Sequence, residues 1–226
     1  MSPAQTSLES LPEVFPVFPL TGALLLPGGQ LPLNIFEPRY LAMTEDALAQ
    51  GRLLAMIQPD RSHPATEYGS ALLRVGCLGR LTSFAETDDG RYLITLTGVA
   101  RFALVEEKAM QRGYRRARGN FRPFAADLAP PRLEDFDRPG LIEALRRYFT
   151  QRGFDVNWQS IDAMADAALI TSLSMVCPFE PMEKQALLEA PTLSERAQTL
   201  RTLLRIDSHE TTDNSDPDNV PRRLPS

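Results

Sequence analysis

A chain of 226 residues, 43% hydrophobic and 23% charged, has room for one large domain or two small ones sharing a core, and its composition is that of a folded globular protein. The net charge of −5 excludes a general electrostatic attraction to nucleic acid or anionic membrane. Residues 1–126 are nearly neutral (+1) and residues 127–226 acidic (−6), which points to two differently built parts.

Residues 1–11 read as a flexible N-terminus. They offer no basic leader region, and the apolar stretch Leu11–Leu26 is broken by Pro12, Glu13, Pro16 and Pro19. Neither an export signal nor a membrane span is expected, and a cytoplasmic location is. Val14–Leu20 (VFPVFPL) is extended, with prolines that suit a sheet edge. Pro27-Gly28-Gly29 is a turn, and Gln30–Phe36 a second extended piece. Glu37-Pro38-Arg39-Tyr40 opens a helix that ends at Gln50-Gly51, and Arg52–Gln58 is a buried strand. Pro59–Gly69 is a polar loop.

From Ala71 to Leu104 successive antiparallel strands are predicted, with Asp88-Asp89-Gly90 as a hairpin turn and Gly98 as a bulge or sharp bend. A last strand falls within Tyr114–Phe124. Six or so short strands around one early helix predict a small closed or partly closed barrel over residues 12–125. Residues 125–138 read as a linker, and 126–206 as a helical bundle. Asp137 caps a helix that Gly153 stops, a long helix runs from Trp158 to Val176, and Pro181 starts a short one to about Glu189. Thr192-Leu193-Ser194-Glu195 is a capping box for the last helix. Residues 207–226, without an aromatic side chain, read as a disordered tail. The fold class is therefore α+β.

Little in the chain suggests chemistry. It holds no G-x-x-x-x-G-K-[ST] phosphate loop. Its two lysines are Lys108, at a strand end, and Lys184, on what reads as a solvated helix face; neither pairs with a serine in a recognisable dyad. His63 and His209 fall in a loop and in the tail, without metal-ligand spacing or a G-x-S-x-G turn. Cys77 and Cys177 read as small buried side chains in a reducing compartment, a disulfide between them being left open. No catalytic residue, metal or cofactor is expected.

Three stretches, in order, carry a resemblance. Pro16–Met43 (PVFPLTGALLLPGGQLPLNIFEPRYLAM) resembles the start of the Lon protease N-terminal domain. Gly90–Glu107 (GRYLITLTGVARFALVEE) resembles its Gly-x-x-Arg strand pair, and Met175–Leu204 its closing pair of helices. Cereblon-type proteins share this domain. The resemblance spans roughly residues 12–206. It implies a PUA-like β-barrel subdomain packed on a C-terminal helical bundle, and a role in gripping unfolded or degron-bearing protein segments. In full Lon proteases an ATPase and a serine–lysine peptidase follow; this chain stops at Ser226, so the expectation is a non-catalytic binding module, acting alone, as a homo-oligomer, or beside a separate ATPase and protease.

Two surfaces compete for that role. The prolines at 16, 19, 27 and 32 stiffen a rim on which Leu33, Phe36 and Tyr40 either hold an extended apolar segment or plug the barrel's own core; Phe18 and Ile35 are assigned to the core. Glu37, Arg39 and Arg101 are the expected polar rim of the groove, or pair with one another. The alternative is RNA binding by Lys108–Arg122, where Arg112, Arg115, Arg116 and Arg118 interleave with Tyr114, Phe121 and Phe124. The opposing reading makes that run a charged outer face that also packs against the acidic second half, and nucleic acid is not the favoured partner.

Overall fold

A computed structural model describes residues 7–213, with side chains described as far as Ile206. Its strands are β1 (Val14–Pro19), β2 (Gln30–Ile35), β3 (Leu53–Ile57), β4 (Pro59–Asp60), β5 (Ala71–Leu72), β6 (Val75–Glu86), β7 (Tyr92–Gln111) and β8 (Tyr114–Asn120). The main sheet has the order β2–β7–β6–β3–β1–β8, and β8 pairs again with β7. The pairings thus close a ring, β7–β6–β3–β1–β8, with β2 outside it on the first half of β7. All contacts in the ring are antiparallel except β1 with β3.

Period-two alternation explains why these strands are buried on both faces. Phe15, Val17, Ala55, Ile57, Leu78, Ala100, Phe102 and Ala117 fill the ring's interior. Their neighbours Phe18, Leu54, Met56, Cys77, Ile94 and Leu96 point outward into a second cluster. That second cluster is shared with the helices, through Leu141, Leu145, Leu169, Leu187 and Leu200. Barrel and helices therefore share one core.

The long β7 pairs with β6 along most of its length, with β2 on its first half and with β8 on its second. At Gly98 the β6–β7 register slips, Leu78 facing Ala100 and Gly79 facing Gly98, so Val99 is the extra residue of the bulge foreseen there. A Cβ on Gly98 would overlap the Leu26 carbonyl, so only glycine admits the segment Leu26–Pro27 that bridges to it. The β6–β7 hairpin turns at Gly90, whose φ of 79° suits glycine.

The helices are α1 (Pro38–Ala49), α2 (Arg138–Gln151), α3 (Trp158–Ala163), α4 (Asp166–Val176), α5 (Pro181–Glu189) and α6 (Leu193–Asp213). Asp137 caps α2 through the Gly140 N–H at 2.9 Å, and Thr192 and Glu195 form the expected box at α6. Two expectations are corrected. The helix predicted over Trp158–Val176 is two helices, parted by extended backbone at Met164 and Ala165. The guanidinium of Arg138 takes the carbonyls of Ile161, Asp162 and Met164 and also the Asp166 carboxylate, which caps the end of α3 and the start of α4. The last strand, Tyr114–Asn120, lies within the stretch predicted for it and is followed by 3-10 turns over Arg122–Leu128. Finally, α6 continues past Ile206 to Asp213, into the segment read as a disordered tail; residues 214–226 lie outside the described residues, as do residues 1–6 of the N-terminus.

Candidate functional site

The strand β2 hydrogen-bonds to β7 along one edge, and among the described residues no strand pairs with the other. Pro32 within it is the kind of residue an edge strand tolerates. Leu33 stands beside Ile94 of β7, which stands beside Phe84 of β6, so the three share one face. Ile94 is buried, Leu33 half-buried and Phe84 exposed. Just past β2, Phe36 is 64% exposed, a large cost in water-facing apolar area for a residue at a turn into a helix. Leu93, on the opposite face of β7, is exposed too. Phe36, Leu33 and Phe84 thus form an apolar lip beside an unpaired backbone edge, with Leu93 on the sheet's other face.

The other residues singled out from the sequence divide. Glu37 and Arg39 do sit on this rim and pair with each other at 2.7 Å, both well exposed. Tyr40 does not face the rim. It is 7% exposed, its ring lies 4.1 Å from that of Phe18, and the Arg39 guanidinium covers it at 4.5 Å. Burial raises its hydroxyl pKa. Phe18 and Ile35 are buried as assigned. Arg101 is remote from the lip, buried at the junction of barrel and helices with 4% exposure. It holds Asp127 in a two-pronged pair (2.9 and 2.8 Å) and donates to the carbonyls of Leu188, Ala190 and Pro191 at the end of α5. Sequence reasoning missed Phe84 and Leu93, because alternation alone does not reveal which strand faces remain uncovered.

The basic run is largely neutralised. Arg112 pairs with Glu45 and Asp46 of α1, Arg115 with Glu107, and Arg118 with Glu106 and Glu13. Lys108 shares Glu106, and Arg116 donates to the Ala109 carbonyl. The partners are acids of the barrel itself, so the expected packing of this face against the acidic second half of the chain is corrected. Burial opposes ionisation of Asp46, but bonds from Tyr114 and Arg112 outweigh it and hold the carboxyl below its ordinary range.

Nor is Lys184 on a solvated face. It is 9% exposed and donates to the Gly22 carbonyl at 2.8 Å, tying α5 to the barrel; burial lowers its pKa. Beside it Gln58 bonds the Pro181 carbonyl and Gln185, which in turn bonds the Val75 carbonyl. Cys77 and Cys177 are both buried, and no disulfide joins them. Among the described residues there is no cluster of three or more metal-ligating side chains, and no helix is long and apolar enough to cross a membrane.

Comparison with known families settles the lineage. The model of the ATP-dependent protease La (LON) substrate-binding domain matches residues 14–205. The chain belongs to the Lon substrate-binding domain family. It is 26% identical over 104 residues to Lon protease 2 of Myxococcus xanthus, covering 46% of this chain and 13% of that protein. It is 27% identical over 213 residues to Lon protease 1 of Sorangium cellulosum, covering 88% of this chain and 24% of that protein. The chain thus spans a quarter or less of these Lon relatives. Among solved structures it resembles the Lon N-terminal domain protein from Xanthomonas campestris (TM-score 0.58, 20% identity, 84% of this chain and 97% of that one). The N-terminal domain of the Mycobacterium avium complex Lon protease is similar at TM-score 0.56 and 15% identity, with the same coverage. These structural likenesses agree with the mixed α+β architecture described above.

Proposed function

We propose that this Lon-family domain is a non-catalytic binding module for extended, apolar segments of unfolded or degron-bearing proteins, and that a separate ATPase and protease act on what it holds. The observation that carries this reading is the free edge of β2 beside exposed Phe36, with half-buried Leu33 and exposed Phe84 on one face of the sheet. An extended chain added to such an edge gains backbone hydrogen bonds from the strand and apolar contact from the lip. Family membership supports the same role, since the matched region is the one named for substrate binding. A polyanion such as RNA would have to displace the carboxylates that already hold Arg112, Arg115 and Arg118, which argues against the nucleic-acid alternative.

The test uses an N-terminally labelled, C-terminally amidated peptide of alternating apolar and polar residues, with binding read by fluorescence anisotropy. Because Phe36 is exposed, Phe36→Asp leaves the core intact. The variant is expected to bind about tenfold more weakly or worse, the loss of one apolar anchor being worth about 1.4 kcal/mol or more. Equal affinity of the two proteins sinks the lip as the binding surface.

A further inference from the structure

A groove of about 1180 Å³ runs between the barrel and the helices and reaches the start of β2 at Gln30, without taking in Leu33 or Phe36. One wall is α4, where Ala165, Ala168, Ser172 and Val176 recur at helical spacing on a single face. Pro130 and Pro131 of the connecting segment line it opposite the sheet turn at Gly29. The opposite face of α4 is sunk in the core through Leu169, Ile170 and Leu173, so the helix is apolar on both sides while one side stays open.

At the base of this groove lies a charge the fold does not answer. Arg196, in the first turns of α6, is 5% exposed and lines the groove. Its Nε donates to the Leu187 carbonyl at 2.8 Å; among the described residues its Nη1 and Nη2 donate to nothing. The nearby carboxylate, Asp127, is already held by Arg101 through both oxygens. The buried groups Arg101, Asp127 and Arg196 therefore carry one net positive charge. Burial, followed by the like charge of Arg101, pushes the Arg196 guanidinium down to about 10. The carbonyl end of α5 offsets part of this charge, but a largely buried guanidinium whose two Nη groups have no protein acceptor still favours an anion.

We infer that this groove is a second binding site, for the C-terminal carboxylate of a polypeptide whose last residues are apolar. The carboxylate would lie on Arg196 Nη1 and Nη2, and the apolar side chains against the alanine face of α4 and the two prolines. A single anionic charge matches the single unanswered cation. The exposed Glu134 and Asp135 line the same groove and, with only Arg132 beside them, disfavour a polyanion. This site shares none of the lip's apolar side chains and does not need them.

The experiment compares two N-terminally labelled decapeptides of one sequence ending in two leucines, one with a free C-terminal carboxylate and one amidated. Binding is measured on the wild-type domain and on Ala168→Trp, which projects into the groove from an exposed position, with Arg196→Gln as a second variant and circular dichroism to confirm folding. The free acid is expected to bind about tenfold tighter or more than the amide, and to lose that advantage in both variants. Equal binding of acid and amide by the wild type overturns the proposal, as does an advantage that survives Ala168→Trp. Should equal binding vanish in Phe36→Asp, the lip stands and the groove proposal alone fails. Failure of both peptides to bind overturns it as well. If decanoate binds in the groove and neither peptide does, the occupant is a fatty acid and not a chain terminus, which also defeats it.

Discussion

Arg101 shows how one side chain can hold two parts of a molecule together. It leaves the barrel at β7, pairs with Asp127 and satisfies three carbonyls at the end of α5. Arg101→Met leaves Asp127 buried without its partner, and is expected to cost about 3–5 kcal/mol in urea unfolding. The double variant Arg101→Met, Asp127→Leu should recover part of that loss; a cost below about 1 kcal/mol for the single change would contradict the clamp. Lys184 gives a pH signature. Burial holds its folded-state pKa below the ordinary 10.5, so the unfolded chain binds the proton more tightly. Its contribution to stability therefore rises with pH across the interval between the folded value and 10.5, and is lost as pH falls through the folded value. The difference in stability between the wild type and Lys184→Met, followed by chemical denaturation across that interval, should shift in this direction. A flat difference would show that the ammonium is not desolvated. At this scale the sequence was least legible. A lysine in Glu183-Lys184-Gln185 and an arginine in Gly98–Arg101 look like surface charges until the partners arrive from residues far along the chain.

Among the elements, those with local causes were readable. The capping box at Thr192, the Asp137 cap, the Gly90 hairpin and the Gly98 bulge each follow from residues within a few positions of one another. The break between α3 and α4 was not readable, because nothing local in Met164-Ala165 stops a helix; the cause is Arg138, from α2. Arg138→Ala should therefore loosen α3 selectively. Native-state hydrogen exchange is expected to show residues 158–163 losing protection while α4 and α5 keep theirs, the charge-assisted bonds removed being worth about 1.5–3 kcal/mol together. If α3 and α4 instead merge into one continuous protected helix, or nothing changes, Arg138 is not what parts them. The β7 strand offers a second check on an element. Gly98→Ala forces a methyl onto the Leu26 carbonyl and should destabilise by at least about 1–3 kcal/mol in the same denaturation assay.

For the molecule as a whole, the shared cluster running from Leu54 to Leu200 means that barrel and helices should unfold in one transition. The barrel followed by helices was foreseen because alternation gives way to helical spacing after Pro123. Which apolar residues stay uncovered was not foreseen, since exposure depends on what the completed fold leaves open. Tyr40 and Phe36, four positions apart, illustrate this: one lies under Arg39 against Phe18 and the other faces water. The most direct test of the lip is hydrogen exchange with and without a saturating amidated apolar peptide. Backbone pairing at the open edge predicts added protection of amides in Gln30–Ile35, with β8 unchanged. Protection that appears elsewhere, or a β2 strand that exchanges at the same rate with and without peptide, would contradict it.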